Sequence, residues 1–232
     1  FITGTDTGVG KTLVSSALLA AASRRGLAVR AYKPVETGCP TENGMLYGPD
    51  CRRLAAAGGG VQSEEEIASY LFETPVAPMV AAETEGTEID PSQFSTDLER
   101  ISDGADFVVV EGAGGILVPI TARLSFLDLA GQLGLPVLVV VASRLGCINH
   151  ILLTLSALES AGIDIIGYVM NETEAGEDGD VSAASNREVI ARLTGVRELG
   201  CMPRLEGTAV QDPGRLAEAA RCGLELEAIL NS

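Results

Sequence analysis

Positive charge is scarce in this sequence. Its 232 residues include 16 Lys and Arg against 32 Asp and Glu, which gives a formal net charge of -16 at pH 7. A surface this negative repels the phosphate backbone of nucleic acids and the headgroups of anionic lipids. We therefore expect neither a nucleic acid nor a membrane as a partner. An anionic nucleotide can still bind if the few cations lie at its site.

Histidine and paired cysteines are scarce as well. The chain contains one histidine, His150, and five scattered cysteines that form no C-x-x-C motif. An odd number of unpaired cysteines is typical of reduced thiols in the cytoplasm and argues against a disulfide framework or a zinc site. A catalytic cysteine would also need a basic partner, which a single histidine hardly provides. We predict a cytoplasmic protein.

Long apolar runs are also missing. No stretch approaches the roughly 18–20 apolar residues that a membrane-spanning helix needs. Hydrophobic residues make up 46% and charged residues 21% of the chain, as in ordinary globular proteins. The length predicts one α/β domain over residues 1–232. Phe1 already lies in a predicted strand, so we expect the natural chain to start upstream.

Apolar runs of strand length alternate with stretches of helical spacing. Strands are predicted at Phe1–Gly4, Leu27–Lys33, Phe107–Val110, Pro136–Ala142, Ile163–Met170 and Val196–Met202. Helices are predicted at Lys11–Arg25, Ile148–Ala161, Asn186–Leu193 and after Pro213. Short helices are expected in an irregular segment that runs to about Arg100, and Asn171–Asp180 is expected to be a solvated loop. This alternation predicts a mostly parallel central sheet with helices on both faces.

The segment Thr3–Thr12 lies between the first predicted strand and the first helix. Its glycines let backbone N–H groups turn inward toward a phosphate, Lys11 adds a cation, and Thr12 offers a hydroxyl to Mg²⁺. Five residues separate Gly4 from Gly10, one more than in the common pattern. The alternative is a glycine-rich turn without a ligand. Gly-Lys-Thr after a strand favours a P-loop NTPase fold.

A carboxylate follows the strand Phe107–Val110. Glu111 stands where a buried strand of a P-loop protein delivers an acid toward the metal. The alternative is a solvated strand end. Three glycines follow Glu111 within Gly112–Gly115, where the backbone could approach a ligand closely. This favours the metal-directed interpretation.

A second lysine, Lys33, ends the predicted strand Leu27–Lys33. Pro34 fixes the backbone after it, so Lys33 is expected at the same edge of the sheet as the phosphate loop. Two lysines at one edge of a cation-poor chain indicate a site that holds more anion than a nucleotide alone. An exposed surface lysine is the alternative. Asp50 is either a helix cap or a metal ligand, and its spacing alone favours the cap.

Together these segments resemble the dethiobiotin synthetase family. The resemblance rests on four blocks, Thr3–Thr12, Lys33–Gly38, Val110–Gly115 and Leu145–His150, within about residues 1–171. The first and third blocks have relatives among other P-loop proteins, whereas the second and fourth together are more particular to this family. The five-residue gap in the first block is the family's own version.

The resemblance implies a reaction. ATP and CO₂ (or bicarbonate) would convert 7,8-diaminopelargonate to dethiobiotin, ADP and phosphate, with Mg²⁺ as cofactor, in a homodimer. One amine would capture CO₂ as a carbamate, the terminal phosphate would be transferred to it, and the second amine would close the ureido ring. Such a transfer between anions needs cationic positioning more than a covalent nucleophile.

The resemblance also implies roles for individual residues. Lys11 and Lys33 would be catalytic, and Thr12, Asp50 and Glu111 would bind Mg²⁺, which favours the metal role of Asp50 over the cap. The substrate would contact Thr7, Thr37, Gly114, Gly115, Cys147 and Asn149, the last two from the second subunit. The nucleotide would contact Gly8, Val9, Gly10, Lys11, Thr12, Leu13, Asp50, Glu111, Gly112, Ala113, Gly114, Asn171, Pro203, Arg204 and Leu205.

The sequence departs from the family pattern in two places. Gly8 replaces an acid that some relatives carry in the phosphate loop, so any role of that acid is absent here. After Pro203 the match is loose, and Glu206 is the candidate for a ribose-binding acid. His150, just inside a helix, needs no chemical role.

Three other functions share a P-loop. Cobyrinate-type amidating synthases carry a glutaminase domain with a Cys–His pair, for which this chain is too short and too poor in histidine. Partition-type ATPases carry a second lysine where Asp6 stands, and they bind DNA or membranes. A non-catalytic nucleotide-binding module would leave Lys33 and Gly146–His150 without a purpose.

Overall fold

The computed structural model of this chain describes residues 1–172 and 181–232. The strands are β1 Ile2–Gly4, β2 Val29–Tyr32, β3 Val35–Thr37, β4 Thr41–Glu42, β5 Met45–Leu46, β6 Tyr70–Phe72, β7 Phe107–Gly115, β8 Pro119–Thr121, β9 Leu124–Ser125, β10 Val137–Ala142, β11 Ile165–Asn171 and β12 Glu198–Met202. The helices are α1 Lys11–Arg24, α2 Pro49–Ala57, α3 Glu64–Ile67, α4 Pro78–Glu85, α5 Pro91–Ser102, α6 Phe126–Leu133, α7 Cys147–Ser160, α8 Val181–Leu193, α9 Pro213–Gly223 and α10 Leu226–Leu230, with a 3₁₀ helix at Gly207–Gln211.

Six of these strands form the central sheet, in the order β12-β11-β10-β1-β7-β2. Every neighbouring pair in it is parallel. All six residues of β10 are buried, which is expected where both faces of a sheet are covered. The prediction of a parallel sheet with helices on both faces is confirmed.

The two faces of the sheet are packed by two apolar clusters. Helix α1 contributes most of its length to one of them, where Leu18 and Leu19 are almost fully buried beside residues of α2, α9 and α10. The other cluster contains residues of α5, α6 and α7, including Phe94, Phe126 and Ile151. Alanine at consecutive positions of α1 lets this helix pack closely without losing helix propensity.

The carboxyl ends of the parallel strands meet at one edge of the sheet. The phosphate loop follows β1 there, and Lys33 follows β2. Ligands of open α/β sheets bind at this edge, next to the strand where the connections change sides. The fold thus brings together the two lysines that the sequence predicted at one edge.

The structure differs from the predicted elements in several places. Strand β7 continues past Val110 to Gly115, pairing with β1 through a register shift. The segment before Arg100 contains the parallel pair β3–β6 in addition to short helices, and α6 was not predicted. Residues 173–180 of the predicted loop lie outside the described residues. Within the described ranges, no helix combines the length and apolar character needed to cross a membrane.

Candidate active site

The phosphate loop occupies the turn from β1 into α1. Gly8 and Gly10 both have positive φ angles, 73° and 94°, which side chains rarely tolerate. Gly10 is the N-cap residue of α1 and offers no capping side chain. Without a side-chain cap, the first N–H groups of α1 are in position to bind an anion. This is the backbone geometry that the motif predicted.

Lys11 lies in the loop with 7% of its surface exposed. Its Nζ donates a hydrogen bond to the backbone oxygen of Asp6 at 3.2 Å. Burial, together with the nearby Lys33, lowers the pKa of Lys11 to about 8, although Glu111, Asp50 and Asp6 oppose the shift. A phosphate group would supply the negative charge that this ammonium lacks.

Lys33 is paired with two of the residues predicted to bind metal. Its Nζ lies 2.6 Å from Oε1 of Glu111 and 2.9 Å from Oδ2 of Asp50. Only 3% of the Lys33 side chain is exposed. Burial alone would lower the pKa of Lys33, but the carboxylates of Glu111, Asp50 and Glu36 outweigh it and hold the pKa above its usual value. Lys33 therefore stays an ammonium ion, and it is not a surface lysine.

Glu111 is completely buried in β7. Its Oε1 accepts hydrogen bonds from Lys33 and from Oγ1 of Thr12, the latter at 2.9 Å. Its second oxygen, Oε2, is buried without a hydrogen-bond partner among the described residues. Lys33 also lowers the pKa of Asp50 despite partial burial of that carboxyl. The carboxylates of Asp50 and Glu111 thus meet at the Lys33 ammonium, and Thr12 adjoins Glu111.

A cavity of about 610 Å³ opens between the phosphate loop and Lys33. The predicted site residues that line it are Thr7, Gly8, Gly10, Lys11, Thr12, Leu13, Lys33, Thr37, Asp50, Ala113 and Gly114. Gly114 has a φ of 65°, and a side chain there would press on Val118 and approach Oγ1 of Thr7. The cavity is large enough for a small ligand beside a triphosphate.

A second cavity, of about 530 Å³, lies on the other side of Gly8 and Leu13. Of the residues that the resemblance assigned to the nucleotide, Asn171, Arg204 and Leu205 line it, as does the ribose candidate Glu206, while Pro203 does not. Asn171 is 2% exposed, and its Nδ2 donates to the backbone oxygen of Val9 at 2.9 Å. Its Oδ1 is buried without a partner in the described part of the chain, and so remains available to a donor on a ligand.

Other predicted residues lie outside both cavities. Val9 is buried in the core cluster beside α1. Gly112 is buried, and a side chain there would contact the rings of Phe1 and Phe126. Gly115 lies next to the backbone of Gly4 and Thr5. After Glu111, Gly112 and Gly115 thus allow close packing, whereas Gly114 lines the larger cavity.

The predicted tail-binding segment begins α7. The Cys147 side chain is 2% exposed and belongs to the core cluster, so it does not face outward. Asn149 is exposed, as is Leu153 one turn later, and Leu145 just before the helix is 86% exposed. Asn149 therefore presents a polar side chain on the same exposed helix face as Leu153.

Several residues around the larger cavity were not predicted from the sequence. They are Glu36, Arg53, Pro75, Val76, Ala77, Pro78 and Val118. Glu36 adjoins Thr37 inside a block already singled out, and its acidic side chain in a strand was a usable signal. The apolar wall from Pro75 to Pro78 carries no such signal, because short Pro-containing segments also occur in ordinary loops.

The parallel sheet, the phosphate loop and the buried Lys–Glu pair at its edge define a P-loop nucleotide-binding protein. A family model described as an AAA domain matches residues 1–211. The chain belongs to the ATP-dependent dethiobiotin synthetases, which are ligases of biotin biosynthesis. It is 45% identical to the synthetase of Anaeromyxobacter dehalogenans (strain 2CP-C), with 88% of both chains covered. It is 36% identical to that of Thermodesulfovibrio yellowstonii, over 100% of this chain and 98% of the relative.

Solved structures of more distant proteins share the fold. The MinD cell division protein of Aquifex aeolicus matches with a TM-score of 0.55 at 17% identity, covering 99% of this chain and 92% of that chain. A ParA family ATPase from Chlorobium tepidum matches with a TM-score of 0.54 at 13% identity, covering 100% and 96%. At such identities the likeness concerns the fold alone.

Proposed function

We propose that this chain uses ATP to join CO₂ to 7,8-diaminopelargonate and closes the ureido ring of dethiobiotin, releasing ADP and phosphate. The relatives named above support the overall reaction. The observation that carries the proposal for this chain is that Lys11 and Lys33 line the same cavity as the phosphate loop. One cavity can then hold a terminal phosphate and a carboxylated amine side by side.

The proposed steps need no covalent link to the protein. One substrate amine attacks CO₂ and loses a proton, which gives a carbamate. A carbamate oxygen attacks the terminal phosphorus of ATP, and the bond to ADP breaks. The second amine attacks the carbamoyl carbon, so the C–N bond of the ring forms, phosphate leaves, and the amine loses a proton.

In these steps the two ammonium groups position and neutralise anions. Lys11 would bridge the terminal phosphate and the carbamate, because its ammonium lies buried at the phosphate loop. Lys33 would stabilise charge on the transferring group. Thr7 and Thr37, which also line the cavity, would hold the amine or carbamate end of the substrate.

The residues around Glu111 fit a magnesium ion. No group of three or more His, Cys, Asp and Glu side chains suited to a metal occurs within residues 1–172 and 181–232. A nucleotide-bound Mg²⁺ needs fewer protein ligands, because one or two carboxylates are completed by waters and phosphate oxygens. Hard oxygen donors and the unpartnered Oε2 of Glu111 match that requirement. Thr12, Asp50 and Glu111 would hold the ion, which when bound neutralises phosphate charge.

We also propose that the enzyme is a homodimer in the cytoplasm. Leu145, just before α7, and Leu153, in its first half, are large apolar side chains that are 86% and 63% exposed. A second copy covering this face would bring Asn149 and the backbone near Cys147 to the tail of the substrate. The negative net charge supports the absence of nucleic acid and membrane partners.

One experiment tests the reaction directly. ATP hydrolysis is measured with and without diaminopelargonate and bicarbonate, and dethiobiotin is identified by mass spectrometry. We expect ADP and dethiobiotin to form in equal amounts and only when both substrates are present. Hydrolysis that needs neither substrate, or that DNA stimulates, would contradict the proposal and favour the partition-type ATPase.

A further inference from the structure

Glu36 carries a buried carboxylate that none of the proposed steps uses. It lies in β3 between Lys33 and Thr37, and only 4% of its surface is exposed. A carboxylate in such a position is costly unless hydrogen bonds satisfy it. Both of its oxygens accept hydrogen bonds, and the donors belong to another element.

Those donors are backbone N–H groups of the first turn of α2. Oε1 of Glu36 accepts from the N–H of Asp50 at 2.7 Å, and Oε2 accepts from the N–H of Cys51 at 3.0 Å. The N-cap residue of this helix, Gly48, supplies no capping side chain, and Pro49 at its first position has no N–H. Glu36 therefore caps α2 from a separate strand, as an acceptor for two N–H groups of the helix N-terminus.

Gly48 makes room for this contact. A Cβ atom at position 48 would overlap Oε2 of Glu36 and would lie 3.0 Å from the sulfur of Cys51. The φ angle of Gly48 is -90°, which any residue can adopt, so the backbone conformation does not explain the glycine. The glycine is explained by the space that the Glu36 carboxylate needs.

The capped turn carries Asp50, whose Oδ2 lies 2.9 Å from Nζ of Lys33. Between β3 and this turn the chain makes the small, mostly exposed β4–β5 hairpin. Such a hairpin does not fix the position of the helix start. Packing of α2 against α1 holds the body of the helix, and the two hydrogen bonds that Glu36 accepts join the backbone of Asp50 directly to the strand that also carries Thr37.

We infer that Glu36 is a positioning residue, which holds the backbone of Asp50 so that the Asp50 carboxylate pairs with Lys33 and reaches the magnesium ion predicted there. This inference rests on the proposed function for the role of Asp50. Outer-shell partners of metal ligands commonly change metal affinity by about 10–100-fold when they are removed. We assign the effect of Glu36 on metal binding to its hold on the backbone of Asp50.

The test uses Mn²⁺ as a magnetic probe for the magnesium site. Binding of Mn²⁺ to the complex of the full chain with ADP is measured by electron paramagnetic resonance. We expect Glu36→Gln and Glu36→Ala to weaken it about tenfold or more. Binding of ADP without metal should change less than twofold. Glu42→Gln is the matched control, because Glu42 is exposed and pairs with Arg52 outside the site, and it should bind Mn²⁺ like the wild type.

A double-mutant cycle separates positioning from general damage. If Glu36 acts through Asp50, adding Glu36→Gln to Asp50→Asn should weaken Mn²⁺ binding no further. Gly48→Ala gives a second way to disturb the contact should Glu36→Ala fail to fold. Unchanged Mn²⁺ affinity in folded Glu36 variants, equal losses of metal-free ADP binding, or additive losses in the cycle would each overturn the inference. These measurements do not require dethiobiotin formation, so failure of the proposed reaction is distinguishable.

Discussion

The Nζ atom of Lys33 lies 2.6 Å from Oε1 of Glu111, and both side chains are almost completely excluded from solvent. Each charge is therefore compensated mainly by the other, with Asp50 and Thr12 as further partners. In water such a pair stabilises little, but in a buried position the removal of one partner leaves the other charge without compensation. The pair thus supports the structure of the site as well as its proposed chemistry.

Replacing Lys33 by Met should therefore affect both stability and turnover. We expect the free energy of unfolding to fall by about 3–5 kcal/mol, because Glu111 stays buried without its counter-ion. Dethiobiotin formation should fall about a hundredfold or more, while ADP still binds. Urea unfolding and calorimetry measure these effects. Adding Glu111→Gln should recover part of the lost stability. Normal turnover in the single variant would remove Lys33 from the mechanism.

Nucleotide binding should depend on pH through Lys11. Burial lowers the pKa of Lys11 from 10.5 to about 8 in the free protein, and a bound phosphate would raise the pKa again by stabilising the ammonium. ADP binding should then take up a proton, and above about pH 8 its affinity should fall by up to about tenfold per pH unit. Calorimetry in buffers of different ionisation enthalpy measures the uptake.

The Lys11 variants supply the control for that pH dependence. Lys11→Arg keeps a positive charge at every pH tested, so its ADP affinity should lose most of the pH dependence. Lys11→Ala should bind ADP weakly throughout. If wild type and Lys11→Arg respond to pH alike, another group is responsible.

Recognition of the base should depend on Asn171. Its buried Oδ1 has no partner among the described residues, while Nδ2 is bonded to Val9, so the side chain can accept one hydrogen bond from the amino group of adenine. We expect ADP to bind about tenfold more tightly than inosine diphosphate, in line with the cost of an unmet buried acceptor. Asn171→Ala should abolish this preference. A preference that survives the substitution would contradict the assignment.

The proposed dimer should depend on Leu153. Introducing a charge by Leu153→Glu on the exposed face of α7 should shift the mass measured by light scattering from dimer to monomer and raise the KM for diaminopelargonate. Leu193→Glu is a matched control, since Leu193 is also exposed, at 57%, but lies on α8. If the wild type is a monomer, or if the Leu153→Glu variant remains a dimer, this interface is wrong.

Much of the fold was accessible from the sequence because the signals were local. Continuous apolar runs such as Pro136–Ala142, which became β10, predicted buried parallel strands, and Gly-Lys-Thr after β1 predicted the phosphate loop. Both depend on neighbouring residues only. The continuation of β7 to Gly115 was not predicted, because glycines ordinarily end a strand. Its pairing with β1 overrides that local preference.

The site was harder to predict from the sequence where its contacts join residues that are far apart along the chain. Lys33 was expected to reach a phosphate, and only the folded chain reveals its bonds to Glu111 and Asp50. Cys147 was identified through a motif, which does not indicate that its side chain points into the core. The capping of α2 by Glu36 requires the hairpin to fold back, and no local pattern encodes this. The roles of the individual residues, like the assignment of residues 1–232 to one domain, remain predictions.

The tight approach of Asn171 to the phosphate loop has an evolutionary consequence. A Cβ atom at position 10 would overlap the Asn171 amide, and the φ of Gly10 is 94°. Substitution of Gly10 is therefore limited by Asn171, although the two residues lie far apart in the sequence. In homologues with a smaller residue at position 171, a side chain at position 10 would avoid this overlap. It would still have to adopt the unfavourable positive φ of Gly10. Position 10 should thus stay restricted to glycine even in homologues that have lost the asparagine.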